Sequence, residues 1–148
     1  MSTLIYAMCF SGKAAPTGPD GNVLRASTSS PSTTIISHIS GEGLTGTIEA
    51  TSGGEAAFAS EVTFTDETVF QEAGTITFGD GNVLQFSTVG SGYLGPCSDP
   101  TLKHGTVMWR VEGGAGQFVG ASGLITSNFF VSQKLEVTDH QFGVLFLP

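Results

Sequence analysis

Glu72 is the side chain in this sequence with the strongest claim to chemistry. It alternates with Phe70, Ile76 and Phe78, so a regular strand turns it toward the same interior as three large apolar residues. Loss of water disfavours the charged carboxylate and raises its pKa, which suits a general acid. The competing readings place Glu72 near the strand end, where it reaches solvent, or let the strand bulge at Ala73-Gly74. His140 is the second catalytic candidate: it alternates with Phe142, Val144 and Phe146, which makes it a lone proton donor facing a lumen or a hydrogen-bonding group at its rim.

Five further residues are candidates for binding a ligand. Trp109 shares a strand face with Val107 and Val111. It serves either as a flat wall for a planar or polyene ligand or as a core or subunit-contact residue. Phe86 belongs to the same apolar interior as Glu72. Tyr6, alternating with Leu4, Met8 and Phe10, and Tyr93, in a loop over one mouth, can each orient a ligand oxygen. Asn128, between Thr126 and Phe130, is a polar candidate for the lumen.

Other chemistries lack a signal. His38, His104 and His140 fall on three different strands without ligand spacing, so no metal is expected. No Gly-x-Ser-x-Gly turn leads from a strand into a helix, and no glycine loop ends in Lys-Ser/Thr ahead of a helix. Hydrolase and nucleotide-binding readings therefore fall away, and no cofactor is expected. Cys97 as a nucleophile has no evident base or cation beside it. Arg110 and Glu112, two apart, read as a solvated or interfacial ion pair.

The composition narrows the partners. The chain has 148 residues, enough for one domain over 1–148 that buries roughly 70% of its unfolded surface. Only 12% of residues are charged, about half the usual share, which points to subunit contacts, an apolar cavity, or both. The net charge is −8 and the five basic residues are scattered, so neither nucleic acid nor an anionic membrane is an expected partner. Cys9 and Cys97 carry no metal-like spacing, no charged segment precedes Leu4, and no apolar run is long enough to span a bilayer. A cytoplasmic location with free thiols is the expectation.

Period-two alternation and frequent Gly, Thr and Ser predict an all-β chain without helices. Strands are expected at 1–10, 34–39, 44–51, 56–65, 69–78, 83–90, 104–112, 124–132 and 135–147. Residues 11–34, rich in Gly, Pro, Ser and Thr, read as a long irregular segment with a short extended piece at 23–25. Turn signals about ten residues apart predict a sandwich or closed barrel.

One hairpin has a predicted register. A two-residue loop at Asp80-Gly81 would pair Ile76 with Gln85 and mix the faces. A three-residue loop Gly79-Asp80-Gly81 pairs Ile76 with Leu84 and Gly74 with Phe86, which keeps apolar residues together.

Phe78-Gly79-Asp80-Gly81, Gly92-Tyr93-Leu94 and the run from Gly113 to Gly123 resemble the C-terminal half of plant allene oxide cyclases. Gly113, Gly114, Gly116, Phe118, Gly120 and Gly123 carry the pattern, which also looks like that of dirigent proteins. The resemblance covers residues 74–147. It implies a single closed antiparallel β-barrel of about eight strands, homo-oligomeric (a dimer or trimer), with an apolar lumen; the glycine density of 113–123 by itself reads as a tight crossing with Phe118 as its plug. In the cyclases the lumen binds a fatty-acid epoxide, and a glutamate from an early strand assists ring closure. Here the first strand, Thr3 to Phe10, holds no carboxylate. The expected function is binding of a small apolar molecule in the lumen, with cofactor-free cyclisation or isomerisation there. The alternatives are a non-catalytic carrier and a structural barrel with a filled lumen.

Overall fold

The structure, a computed structural model, describes residues 1–148. It consists of nine strands and one 3-10 turn: β1 (Ser2–Pro16), β2 (Val23–Ser40), β3 (Gly43–Phe64), β4 (Val69–Phe78), β5 (Val83–Thr88), β6 (Gly92–Pro96), β7 (Leu102–Ala115), the turn Gly116–Phe118, β8 (Ser122–Ser132) and β9 (Glu136–Leu147). The strands form one antiparallel sheet in the order β3-β2-β1-β9-β8-β7-β5-β4-β6, and β3 also pairs with β4. That last pairing closes eight strands into a ring. β6 stands beside the ring, bridging the ends of β4 and β7. The expectation of a closed antiparallel architecture without helices holds at this level.

Alternation decides what the ring encloses. Inward positions include Phe10, Phe58, Phe70, Ile76, Leu84, Phe86, Trp109, Ile125 and Leu145, all at most 4% exposed. The β4–β5 hairpin has the expected register, Ile76 opposite Leu84 and Gly74 opposite Phe86. Gly81 takes φ 76° in the turn, which only glycine adopts at little cost.

Residues 11–34 are not an irregular segment. Ser11 to Pro16 continue β1, and β2 starts at Val23, leaving only a short turn between them. Pairing along both flanks overrides the loop-like composition: Gly12 to Pro16 align with Leu24 to Thr28, and Ser11 to Lys13 also pair with β9. The two prolines sit where a missing N–H does least harm, Pro16 at the end of β1 and Pro31 at a register shift. The strands expected at 44–51 and 56–65 are one strand, β3. Their apparent break coincides with that shift, where Pro31 faces Glu55 but Thr33 faces Ala50.

Beyond the shift, Thr33–Ser40 and Gly43–Ala50 leave the ring as a two-stranded arm. Ile35 faces Ile48 and Ile39 faces Leu44, so the four side chains share one face of the arm, and all four are exposed. A second exposed apolar surface lies on the outside of the ring. There Ile5, Val144 and Leu124 form a cross-strand row, flanked along β9 by exposed Phe142 and Phe146.

Candidate functional site

The two ends of the ring differ, and the glycine run explains why. Gly113, Gly114, Gly116, Gly120 and Gly123 all have positive φ, folding 113–123 into a compact crossing over one end. At Gly116 a Cβ would sit 2.5 Å from Asn82 Oδ1, the same oxygen that accepts the Gln117 backbone N–H at 3.0 Å. The β4–β5 turn and the 3-10 turn are thereby tied together. Phe118, 1% exposed, packs against Phe78 with ring centroids 5.5 Å apart. The expected plug is in place.

The opposite end is open. A cavity of about 960 Å³ extends inward from it, walled by Phe58, Phe64, Phe70, Trp109 and Phe129 and rimmed by Asp20, Asp66, Glu67 and Lys103. Small-molecule sites run from about 300 to 1,000 Å³, so the lumen is large enough for a ligand. The wall is backed by a further aromatic layer: Phe86 lies 4.5 Å from Trp109 and stacks on Phe58 at 5.3 Å. A filled lumen does not describe this half of the ring.

Glu72 lines the cavity and is 7% exposed. The reading that let it reach solvent is overturned. Ser60 Oγ donates to its Oε1 at 2.6 Å, and Trp109 Nε1 donates to its Oε2 at 3.2 Å. Its backbone is fixed by Thr88, whose hydroxyl accepts from Glu72 N and donates to Glu72 O. Burial pushes the carboxyl up from 4.5 to about 8; the two donors hold it back, and nearby Asp139 adds to the rise. At neutral pH Glu72 carries a proton.

Sequence reasoning missed Asp139. It is 5% exposed and faces the same cavity, held by Ser127 Oγ at 2.5 Å and Gln141 Nε2 at 2.8 Å. Tyr6 completes the chain by donating its hydroxyl to Gln141 Oε1 at 3.1 Å. Burial raises Asp139 from 3.8 to about 6, against the pull of those two donors and of His140, so at neutral pH it is an anion. No Lys, Arg or His lines the cavity apart from Lys103 at the rim. Two carboxyl groups thus share one apolar enclosure in opposite protonation states, the arrangement that separates acid from base.

The remaining candidates divide. Trp109 walls the cavity and anchors Glu72. Phe86, 2% exposed, lies behind Phe58 and Trp109 and supports them without lining the cavity. Tyr6 is also outside the cavity lining, and burial with the Asp139 charge moves its hydroxyl far above the ordinary range. It acts through Gln141. Three candidates are corrected. His140, Asn128 and Tyr93 all point outward and are exposed. On β9 the inward set is Val137, Asp139, Gln141, Gly143 and Leu145, so His140 shares the outer surface with Phe142 and Phe146. Asn128 lies opposite His140 there, with Ser127 taking the inward place on β8, and Tyr93 lies opposite Thr106.

Thr28 was also missed, because it lies in the stretch read as irregular. It lines the cavity and is 5% exposed, and its Oγ1 has no hydrogen-bond partner in the protein. The two cysteines are unpaired. No group of three or more His, Cys, Asp and Glu side chains is arranged to hold a metal ion. Arg110 and Glu112 form an exposed ion pair at 2.6 Å, away from the cavity. No helix is long and apolar enough to cross a membrane. No protein-family model, curated protein or solved structure matches the chain.

Proposed function

We propose that the ring is a barrel of the allene oxide cyclase type that binds a small apolar molecule in its lumen and isomerises or cyclises it without a cofactor. The observation that carries this reading is two buried carboxyl groups, Glu72 and Asp139, lining one aromatic cavity without a cation between them, with burial raising Glu72 the further. Glu72 donates its proton to an oxygen or alkene carbon of the substrate. The positive charge that develops is stabilised by the Asp139 carboxylate and by the faces of Trp109, Phe58 and Phe70. The Glu72 carboxylate then takes a proton from a neighbouring carbon, which restores the enzyme and leaves a substrate isomer. Proton count and atoms balance, and no electron donor or acceptor enters. The walls contribute by holding a flexible substrate near its reactive shape.

The test is turnover of the lumen's ligand, identified from protein purified from its own host, by wild type and Glu72→Gln. Loss of at least about a hundredfold in kcat with retained binding supports the assignment. Retained turnover removes Glu72 from the mechanism. Binding without conversion by either protein leaves a carrier.

Assembly as a homodimer or homotrimer in the cytoplasm belongs to the same reading. The apolar face of the arm and the outer patch around Val144 each expose several large apolar side chains side by side, the kind of contiguous surface that marks a contact site. The free thiols agree with a reducing compartment.

A further inference from the structure

The lumen spends its polar groups unevenly. Glu72 and Asp139 each accept two hydrogen bonds from neighbouring side chains. Thr28 makes none, although its hydroxyl is buried and borders the same cavity. A buried hydroxyl without a partner costs stability, and valine would fill the same space without that cost. Its Oγ1 is covered and no neighbour answers it: opposite it on β1 is Gly12, with no side chain, and opposite it on β3 is Phe58, which has no polar atom to offer. Thr28 lines the cavity, so a lumen occupant is the partner left for this hydroxyl, reached by rotation about χ1.

Charge narrows the occupant further. The interior holds an ionised Asp139 and no cation, and the rim carries Asp20, Asp66 and Glu67 against Lys103 alone. A carboxylate head group entering this space would lose its water, meet a like charge and find no partner. The resemblance implies a fatty-acid ligand; these residues do not suit one.

Resting on the lumen-binding reading above, we propose that the ligand is an uncharged lipophilic molecule whose hydroxyl, carbonyl or epoxide oxygen hydrogen-bonds Thr28, and that the lumen rejects carboxylates. The aromatic walls take the hydrocarbon body, and Thr28 fixes the oxygen in the enclosure that Glu72 and Asp139 share.

Trp109 is the single tryptophan of the chain and walls the cavity, so its fluorescence reports occupancy. Titration at pH 8 with decanol, decyl chloride and decanoate separates the contributions of oxygen, chain and charge. Decanol is expected to bind at least about tenfold more tightly than decanoate. Thr28→Val should weaken decanol about five- to tenfold and leave decyl chloride unchanged, while Thr28→Ser restores decanol binding. Thermal melts of both variants establish that they fold. Decanoate binding as tightly as decanol overturns the charge selection. Equal loss of decanol and decyl chloride in Thr28→Val, or no loss of either, overturns the role of Thr28. Failure of all three probes to bind contradicts lumen binding itself and this inference with it.

Discussion

Replacing Glu72 with Gln should flatten the pH dependence of stability above pH 6. In the wild type the folded chain holds the Glu72 proton up to about pH 8, whereas the unfolded chain releases it near 4.5. Proton binding therefore favours the folded state. The contribution is complete below 4.5 and is lost as pH rises toward 8, at up to about 1.4 kcal/mol per pH unit. Asp139 is also raised, from 3.8 to about 6, so most of its own loss falls below pH 6 and only about 0.4 kcal/mol of it remains between pH 6 and 7. Cys9 and Tyr6, both raised, act only at higher pH. Glu72 thus dominates the interval from pH 6 to 8.5 and stands alone above pH 7. Across it the wild type should lose about 3 kcal/mol, which for a chain of this size corresponds to a fall in Tm of roughly 10 °C. Gln has nearly the same shape, keeps an acceptor for Ser60 or Trp109, and cannot ionise. Its Tm should change by less than about 2 °C over the same interval. Melts by circular dichroism at half-unit pH steps, at constant ionic strength, read both curves. A wild-type Tm that is flat from pH 6 to 8.5, or a Gln variant that falls in parallel, would refute the argument that burial keeps Glu72 protonated.

Other perturbations have defined outcomes. Thr28→Val should raise the stability of the ligand-free protein by about 1 kcal/mol, because it removes a buried hydroxyl that no protein group satisfies; urea unfolding measures it. Phe118→Ala should cost about 3–5 kcal/mol by leaving a cavity at the closed end, while Trp109 emission stays in place because the plug lies away from the indole. His140→Gln should leave ligand affinity and turnover within about twofold, since the imidazole stands on the outer surface; a larger loss would restore it to the site. Ile39→Lys with Leu44→Lys should shift the sedimentation coefficient to that of a monomer if the arm is a subunit contact. An unchanged value removes the arm from assembly.

Local rules were enough for the closed end and for one wall of the site. The Gly79-Asp80-Gly81 loop fixed a register, that register fixed which side of β4 faces inward, and Glu72 followed. The glycine run from 113 to 123 marked a tight crossing because its backbone needs positive φ. Local rules failed on β9, where both faces carry large apolar residues. Phe142, Val144 and Phe146 outnumber the apolar groups around Asp139, and an outer surface this apolar inverts the usual sign of the alternation. Cross-strand parity was the available signal: Leu145 and Val137 share the face of Asp139 and Gln141, leaving two polar residues in a buried row. The β1–β2 region failed for another reason. Its Gly and Pro content has low strand propensity on its own, and pairing on both sides supplies what the residues lack. Thr28 went unnoticed with it.

The central claim is that the lumen holds a small apolar molecule, and native mass spectrometry of protein from its own host tests it most directly. Wild type should carry a noncovalent adduct that organic solvent releases. Val62→Trp, which places a large ring into the cavity from a position that lines it, should carry none while melting as a folded protein. Wild type without any adduct, or an adduct equally abundant on the filled variant, would contradict the account.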